Sequence, residues 1–494
     1  MARARTVFVC QQCGAQFAKW LGRCTECGTW ESVVEEAAPS RASSGGGFGG
    51  SRTSVVVAGQ RAARPVPLSS VTPQSHARLP TGLDELDRVL GGGIVPGSVT
   101  LLGGDPGIGK STIGLQVLGE LARRGLTALY VSGEESPEQV KLRADRLECN
   151  ESVLILPETC VEDVLAHIEA VKPGVVLIDS IQTMHSRELT SAAGSVGQVR
   201  ECAAALVAQA KASGRPTIIV GHVTKEGTIA GPRVLEHVVD TVLYFEGDQG
   251  GGLRLLRAVK NRFGPTNEVG VFEMGERGLV DVANPSAVLL AERPRGAPGS
   301  AVLPTIEGTR PLLVEVQALS ARSALAMPRR TTLGLDANRV AVLTAIVDKR
   351  AGLKLYEHDL FVSVAGGIRV QEPAADLAII AAIGSSANDA PLPEGLVLFG
   401  EVGLAGEVRA VRHAETRLRE AAKLGFTRAI VPGATASTVR VPAGLRVEGV
   451  ASVQELWQAL FVGRRRRAAA ASGRSAPDDA FRSAPDDADD VYGD

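Results

Sequence analysis

Gly104-Asp105-Pro106-Gly107-Ile108-Gly109-Lys110-Ser111 decides the fold. It follows the apolar run Val99-Thr100-Leu101-Leu102 and precedes a helical pattern, Thr112 to Arg124, that Gly125 stops. Strand, glycine-rich loop and helix in that order are the context a G-x-x-x-x-G-K-S match requires. The glycines let backbone N–H groups turn inward around phosphate oxygens, and the helix N-terminus adds partial positive charge. In this reading Gly104, Asp105, Pro106, Gly107, Ile108, Gly109, Lys110, Ser111 and Thr112 form the cradle for a nucleoside triphosphate. Lys110 reaches its β- and γ-phosphates and Ser111 holds Mg²⁺.

Around that loop lie 494 residues, too many for one core, so two or three domains are expected. Apolar content of 44% and charged content of 22% are those of a soluble globular protein. A net charge of -2 excludes a global attractive field for nucleic acid and leaves only local basic patches. No apolar run approaches the roughly 18 residues that span a bilayer. Met1 to Val9 holds two arginines and no long apolar core, so no signal peptide and a cytoplasmic location are expected. Of the seven cysteines, Cys149, Cys160 and Cys202 lie alone in patterned segments and read as small buried apolar residues.

The other four cysteines are clustered. Cys10-x2-Cys13 and Cys24-x2-Cys27, ten residues apart, form a four-thiolate zinc pattern. Each knuckle presents two sulfurs from one tight turn, followed by Gly14 or Gly28, and two knuckles complete a tetrahedron. With four protein ligands the Zn²⁺ site is structural, and the metal supplies folding energy that so small a segment lacks. This ribbon is assigned to residues 1–34. Trp20 and Trp30 are expected to pack beside it, with stacking on a nucleobase as the alternative. Residues 35–70, rich in Ala, Ser and Gly, read as a flexible tether.

From residue 71 to 284 strands alternate with helices, which predicts a doubly wound, mainly parallel α/β sheet with its site at the strand carboxyl ends. Leu126 to Val131, Val153 to Leu156, Val175 to Asp179 and Thr217 to His222 follow the first core strand. Ser136-Pro137-Glu138-Gln139 carries an N-cap, a proline at the first turn and a capping-box Gln. Val161 to Val171 reads as an amphipathic helix. Asp179 ends its strand where Mg²⁺ coordination needs an acid. Glu134 and Glu135 follow the second strand, as either a catalytic carboxylate or a pair of solvated helix-start acids.

This order of strand-ending motifs resembles the RecA-like ATPases, whose cofactor is ATP. Their catalytic glutamate follows the strand after the phosphate loop, which implies Glu134 as the base and Glu135 as a reserve. Two further stretches, His222-Val223-Thr224-Lys225-Glu226-Gly227 and Lys260-Asn261-Arg262-Phe263-Gly264, together with the zinc ribbon, resemble the RadA (Sms) family of bacterial DNA repair proteins. The resemblance covers residues 1 to about 462. It implies a hexameric ring that moves on single-stranded and branched DNA and assists the RecA recombinase by driving branch migration. It also implies His222 as a γ-phosphate sensor, and Lys260 and Arg262 as cations that touch a neighbouring subunit's nucleotide. Thr183 to Arg200 has the character of a mobile inner loop and, with Lys225 and Arg233, is the candidate DNA-contacting face. A nucleotide-switched binding or loading module is the alternative reading.

Residues 285–462 mix alternating strands (Leu312 to Val316, Leu360 to Val364) with helices (Asn338 to Ala351, Ala374 to Ala387) as an α+β domain. This part resembles the proteolytic domain of Lon. Ala374 stands at the matching nucleophile position and Glu415 at the lysine position, so covalent peptide hydrolysis lacks its chemistry. Arg329, Arg330, Lys349, Arg350 and Lys354 are candidate phosphate contacts. Residues 463–494 begin with Arg464-Arg465-Arg466-Arg467 and end as an acidic tail with a twice-recurring octapeptide; low hydrophobicity predicts disorder there.

Overall fold

A computed structural model describes residues 6–10, 16–26, 28, 30, 32–37, 67, 69, 77–149, 153–222, 234–247, 253–324 and 327–462. Cys13, Cys27, Lys225, Arg233, most of the tether and the tail lie outside the described residues. The chain divides into two compact units. One comprises Met1–Pro285 with Glu307–Arg310, the other Ser286–Ile306 with Pro311–Asp494.

The N-terminal ribbon is a three-stranded antiparallel sheet of β1 (Thr6–Cys10), β2 (Gln16–Phe17) and β3 (Val33–Ala37), in the order β2-β1-β3. Cys10 and Cys24 are buried at its centre beside Val33. Gly28 closes the second knuckle. Its N–H donates to Cys24 O at 2.9 Å and its φ of 75° lies in the left-handed region that only glycine enters freely. Trp20 and Trp30 do not pack beside the cysteines; they are 58% and 69% exposed. The ribbon core is too small to cover an indole, and the expected packing is corrected on that ground.

The rest of the first unit is built on nine strands. In chain order the elements are α1 (Asp84–Leu90), β4 (Val99–Gly104), α2 (Lys110–Arg123), β5 (Ala128–Ser132), α3 (Pro137–Arg146), β6 (Val153–Leu156), α4 (Val161–Val171) and β7 (Val175–Asp179). They continue with α5 (Val196–Ser213), β8 (Thr217–His222), β9 (Thr241–Glu246), β10 (Leu253–Asn261), β11 (Val269–Gly275) and β12 (Gly278–Asp281). The strand order is β12-β11-β10-β9-β4-β8-β7-β5-β6. From β9 to β6 the pairing is parallel; from β9 to β12 it is antiparallel.

The central parallel strands are largely apolar because both faces are covered, whereas the edge strand β6 leaves Leu154 and Ile155 exposed. Leu102, Tyr130, Leu177 and Val220 point into one core with Leu115 and Leu118 of α2. Their neighbours Leu101, Leu129, Ile178 and Ile219 point into another with Val164 and Ile168 of α4 and Val199 and Leu206 of α5. Each such Leu or Ile contributes about 1.5–3 kcal/mol by leaving water. The capping box at Ser136 is present in full, with Pro137 in the first turn of α3. Cys149, Cys160 and Cys202 are buried, as expected.

The stretch Thr183 to Arg200 departs from its expected character. Its last five residues belong to α5, capped by Ser195. The buried Gln198 amide accepts from Ser186 N (2.7 Å) and donates to Leu189 O (3.2 Å) and Ser191 O (2.9 Å). One glutamine therefore satisfies the turn that the small residues left without regular pairing.

The second unit holds a seven-stranded mixed sheet. Helices Ala337–Ala351 and Asp376–Ala387 accompany it, the latter preceded by the tight turn Pro373–Ala375. Among the described residues no helix is long and apolar enough to cross a membrane.

Candidate nucleotide site

Strand register brings the site together. Gly104 at the end of β4 lies opposite His222 at the end of β8, and Ser132 at the end of β5 lies opposite Asp179 at the end of β7. Four carboxyl ends thus meet above one edge of the sheet, where open α/β sheets place their ligands.

The phosphate loop fills the step from β4 to α2. Gly109 caps α2 at a φ of 118°, and a Cβ there would meet Met274 Cε at 3.0 Å and Leu279 Cδ1 at 3.1 Å. Only glycine fits that turn. Lys110 is buried, its ammonium donating to Gly104 O and Asp105 O, both at 2.9 Å. Burial pushes its pKa down, against the attraction of Asp179, Glu134 and Asp105.

Asp179 is buried and accepts from the Tyr130 hydroxyl, with Ser111 in hydrogen-bonding reach. Burial raises its pKa, and the bonds from Tyr130 and Ser111 oppose the rise. A carboxylate and a hydroxyl side by side are hard oxygen ligands, which fit Mg²⁺. Sequence reasoning missed Tyr130. The only signal was a hydroxyl-bearing residue in an otherwise apolar strand.

The two glutamates after β5 separate cleanly. Glu135 is held by Arg143 of α3 in a bidentate pair, both contacts at 2.6 Å. Glu134 faces the site: Ser180 Oγ donates to its Oε1, and His222 Nε2 lies 3.2 Å from the same oxygen. The His222 hydrogen bond leads the forces that hold the Glu134 carboxyl below its usual range; Ser180 and the Lys110 charge assist, and burial opposes. Gln182 Nε2 donates to His222 O at 3.2 Å, tying the segment after β7 to the end of β8. Gly133 makes the approach possible, since a Cβ there would meet Thr183 Oγ1 at 2.1 Å.

Lys260 and Arg262 are not brought to this site. Asn261 pairs with Thr241, and Thr241 with Thr100 at the start of β4. Lys260 Nζ donates to Glu236 O (2.6 Å) and Val239 O (2.9 Å). Arg262 pairs with the buried Asp240 at 3.1 Å, and Asp240 Oδ2 in turn accepts from Val99 N at 3.1 Å. Asn261 Nδ2 donates to Leu90 O at 3.2 Å, closing the end of α1. The pentapeptide therefore occupies the opposite end of β4 from the phosphate loop. At about 3.3 Å per residue, Thr100 and Gly104 stand roughly 13 Å apart.

In the second unit Ala374 is 1% exposed and presents no hydroxyl. Glu415 lies in the first turn of helix Ala414–Lys423 and accepts from Arg440 N at 3.4 Å. This helix buries Arg417, two residues on, together with Leu418 and Ala421, and Arg417 pairs with Glu372 in the segment leading to Ala374.

A phosphate loop with buried lysine, a strand-end aspartate and a clamped glutamate define a P-loop ATPase of the RecA-like class. Comparison with known proteins agrees. The KaiC ATPase family model matches residues 79–285, and a rubredoxin metal-binding domain model matches residues 8–35. The chain is 54% identical over 465 residues to the DNA repair protein RadA of Pseudomonas aeruginosa, covering 93% of this chain and 100% of that one. It is 50% identical over 459 residues to RadA of Bacillus subtilis, covering 92% and 98%. With RadA of Streptococcus pyogenes the identity is 49% over 462 residues, covering 93% and 100%. The chain belongs to the RadA family of DNA repair proteins.

Proposed function

We propose that this protein is an ATP-driven motor on single-stranded and branched DNA, assembled as a homo-oligomeric ring, most simply a hexamer. In this reading it acts in the cytoplasm with the RecA recombinase to drive branch migration of recombination intermediates. One observation carries it: Lys260 and Arg262 stand at the wrong end of the sheet for their own nucleotide. Arg262 is half-exposed there. A cation so placed serves a neighbour's γ-phosphate, as an arginine finger does, and that requires subunits arranged head to tail.

Within one subunit Lys110 neutralises charge on the transferring phosphate, and the loop N–H groups orient it. Ser111 and Asp179 would hold Mg²⁺, which supplies charge neutralisation between the phosphates when bound. Glu134 orients the attacking water and accepts its proton; His222 reports the γ-phosphate to the segment that Gln182 ties to it. Cys10, Cys13, Cys24 and Cys27 hold Zn²⁺ as a structural ion; the burial of Cys10 and Cys24 beside one another's knuckles supports that role.

The second unit is a Lon-like scaffold without peptidase chemistry, because Ala374 offers no nucleophile and Glu415 is an acid where an amine base is needed. The test is branch migration of a three-strand recombination intermediate by the Lys110→Ala protein. The variant is expected to be inactive; migration at the wild-type rate would sink the motor reading.

A further inference from the structure

Tryptophan is rarely left in water, yet both ribbon indoles are exposed. They are not scattered. The Trp20 ring lies on Gly22, where an added Cβ would come within 3.4 Å of Cη2. Next in the chain is Arg23, bridged to Trp30 across an antiparallel contact, with its guanidinium carbon 5.7 Å from the Trp30 ring centroid. Arg23 Nε donates to Gly28 O at 2.8 Å, so the guanidinium is fixed by the second knuckle. Lys19 is exposed beside Trp20. Arg23 and Trp30 thus form one guanidinium–indole pair braced by the knuckle turn, and Trp20 is a second exposed indole three residues before Arg23.

We infer that this surface is a stacking platform for unpaired bases of single-stranded nucleic acid. Bases stack on aromatic faces whatever their identity, and a cation beside the ring adds attraction to both base and phosphate. Among the described exposed residues next to the indoles in the chain, Lys19 and Arg23 attract a phosphate backbone, against the single carboxylate of Glu26. The inference rests on the DNA-motor reading and adds to it a second, base-directed contact outside the ATPase unit.

The test uses the full chain carrying Trp457→Phe, so that only Trp20 and Trp30 emit. The probes are an oligo-dT strand and an abasic strand of equal length and charge. Oligo-dT is expected to quench the emission and the abasic strand to leave it unchanged. Trp20→Ala with Trp30→Ala should weaken oligo-dT binding about tenfold, with abasic binding, zinc content and DNA-free ATPase rate unaltered. Trp20→Phe with Trp30→Phe should recover most of the loss. Unquenched emission on oligo-dT binding, or an alanine variant that binds both strands like its parent, overturns the platform and leaves the motor standing; the second result would assign the surface to a protein. A parent chain that binds neither strand overturns both.

Discussion

The position of Arg262 makes a quantitative prediction about mixed assemblies. Arg262→Ala leaves the phosphate loop of its own subunit intact, since that residue is anchored at Asp240 near the start of β4. Lys110→Ala destroys its own loop but leaves Arg262 in place. Each variant alone should lose DNA-stimulated hydrolysis, by about 10³–10⁵-fold if Arg262 acts as an arginine finger. In an equal mixture, a competent site needs an Arg262→Ala loop facing a Lys110→Ala neighbour. With random assembly that juxtaposition occurs at half times half, or about one quarter, of the interfaces. Steady-state phosphate release in the presence of single-stranded DNA should therefore rise to about a quarter of the wild-type rate per subunit. Were both residues to serve the same subunit's nucleotide, the mixture would contain no competent site. An activity no greater than the mean of the two separate variants would refute the assignment in trans.

Glu134→Gln should lower hydrolysis by about 10²–10⁴-fold with ATP affinity retained, whereas Glu135→Gln, which loses only the Arg143 pair, should change it by less than about tenfold; single-turnover phosphate release separates the two. Arg417→Ala leaves the partly buried Glu372 carboxylate without its cation and should destabilise the second unit by about 2–3 kcal/mol, while Arg417→Met with Glu372→Leu should recover most of that. Urea unfolding followed by Trp457 emission, in a chain with Trp20 and Trp30 replaced by Phe, reads this unit alone. Burial works against ionisation of Glu162, but hydrogen bonds from the Cys160 thiol and the Ser186 hydroxyl outweigh it and hold the carboxyl at about 2. A depressed carboxylate contributes stability that is present above its unfolded pKa near 4.3 and lost as the pH falls toward 2. Glu162→Gln should therefore remove on the order of 1 kcal/mol at neutral pH, solvent screening of this partly exposed carboxylate reducing the effect, and flatten the acid limb of the unfolding curve.

Much of this was legible in the sequence because the site is local in sequence or tied to strand ends. The phosphate loop announces itself through Gly107, Gly109 and Lys110, whose spacing has one physical solution between a strand and a helix. Asp179 and His222 end runs whose apolar character marks them as buried strands, so their place above one sheet edge followed. The antiparallel extension was only partly legible. Leu253 to Val259 alternates visibly, but Thr241-Val242-Leu243-Tyr244-Phe245-Glu246 continues the parallel set, and nothing local says that the chain reverses after it. Tyr130, Ser180, Arg143 and Arg417 were missed because their roles depend on partners 49, 46, 8 and 45 residues away. The indoles were misjudged from composition, since a tryptophan in so small a module has no core large enough to receive it.

If Glu134 is the base, as proposed, the clamp on its carboxylate sets the state from which it acts. Ser180 follows β7, His222 ends β8 and Glu134 follows β5, so one carboxylate oxygen joins three strand ends. Both partners favour the ionised form and therefore reduce its affinity for a proton. Less basic and engaged on one side, Glu134 is poorly matched to deprotonate water while the clamp is closed. Under the proposed sensor role, a γ-phosphate that recruits His222 would remove one of the two contacts on Glu134 Oε1 and leave the bond from Ser180. Gln182 Nε2 donates to the His222 carbonyl, so a movement of His222 under the proposed role would have one direct hydrogen-bonded route to the Ser180–Ser195 segment. In the proposed function a coupling between nucleotide and that segment would be one hydrogen bond deep on either side of His222.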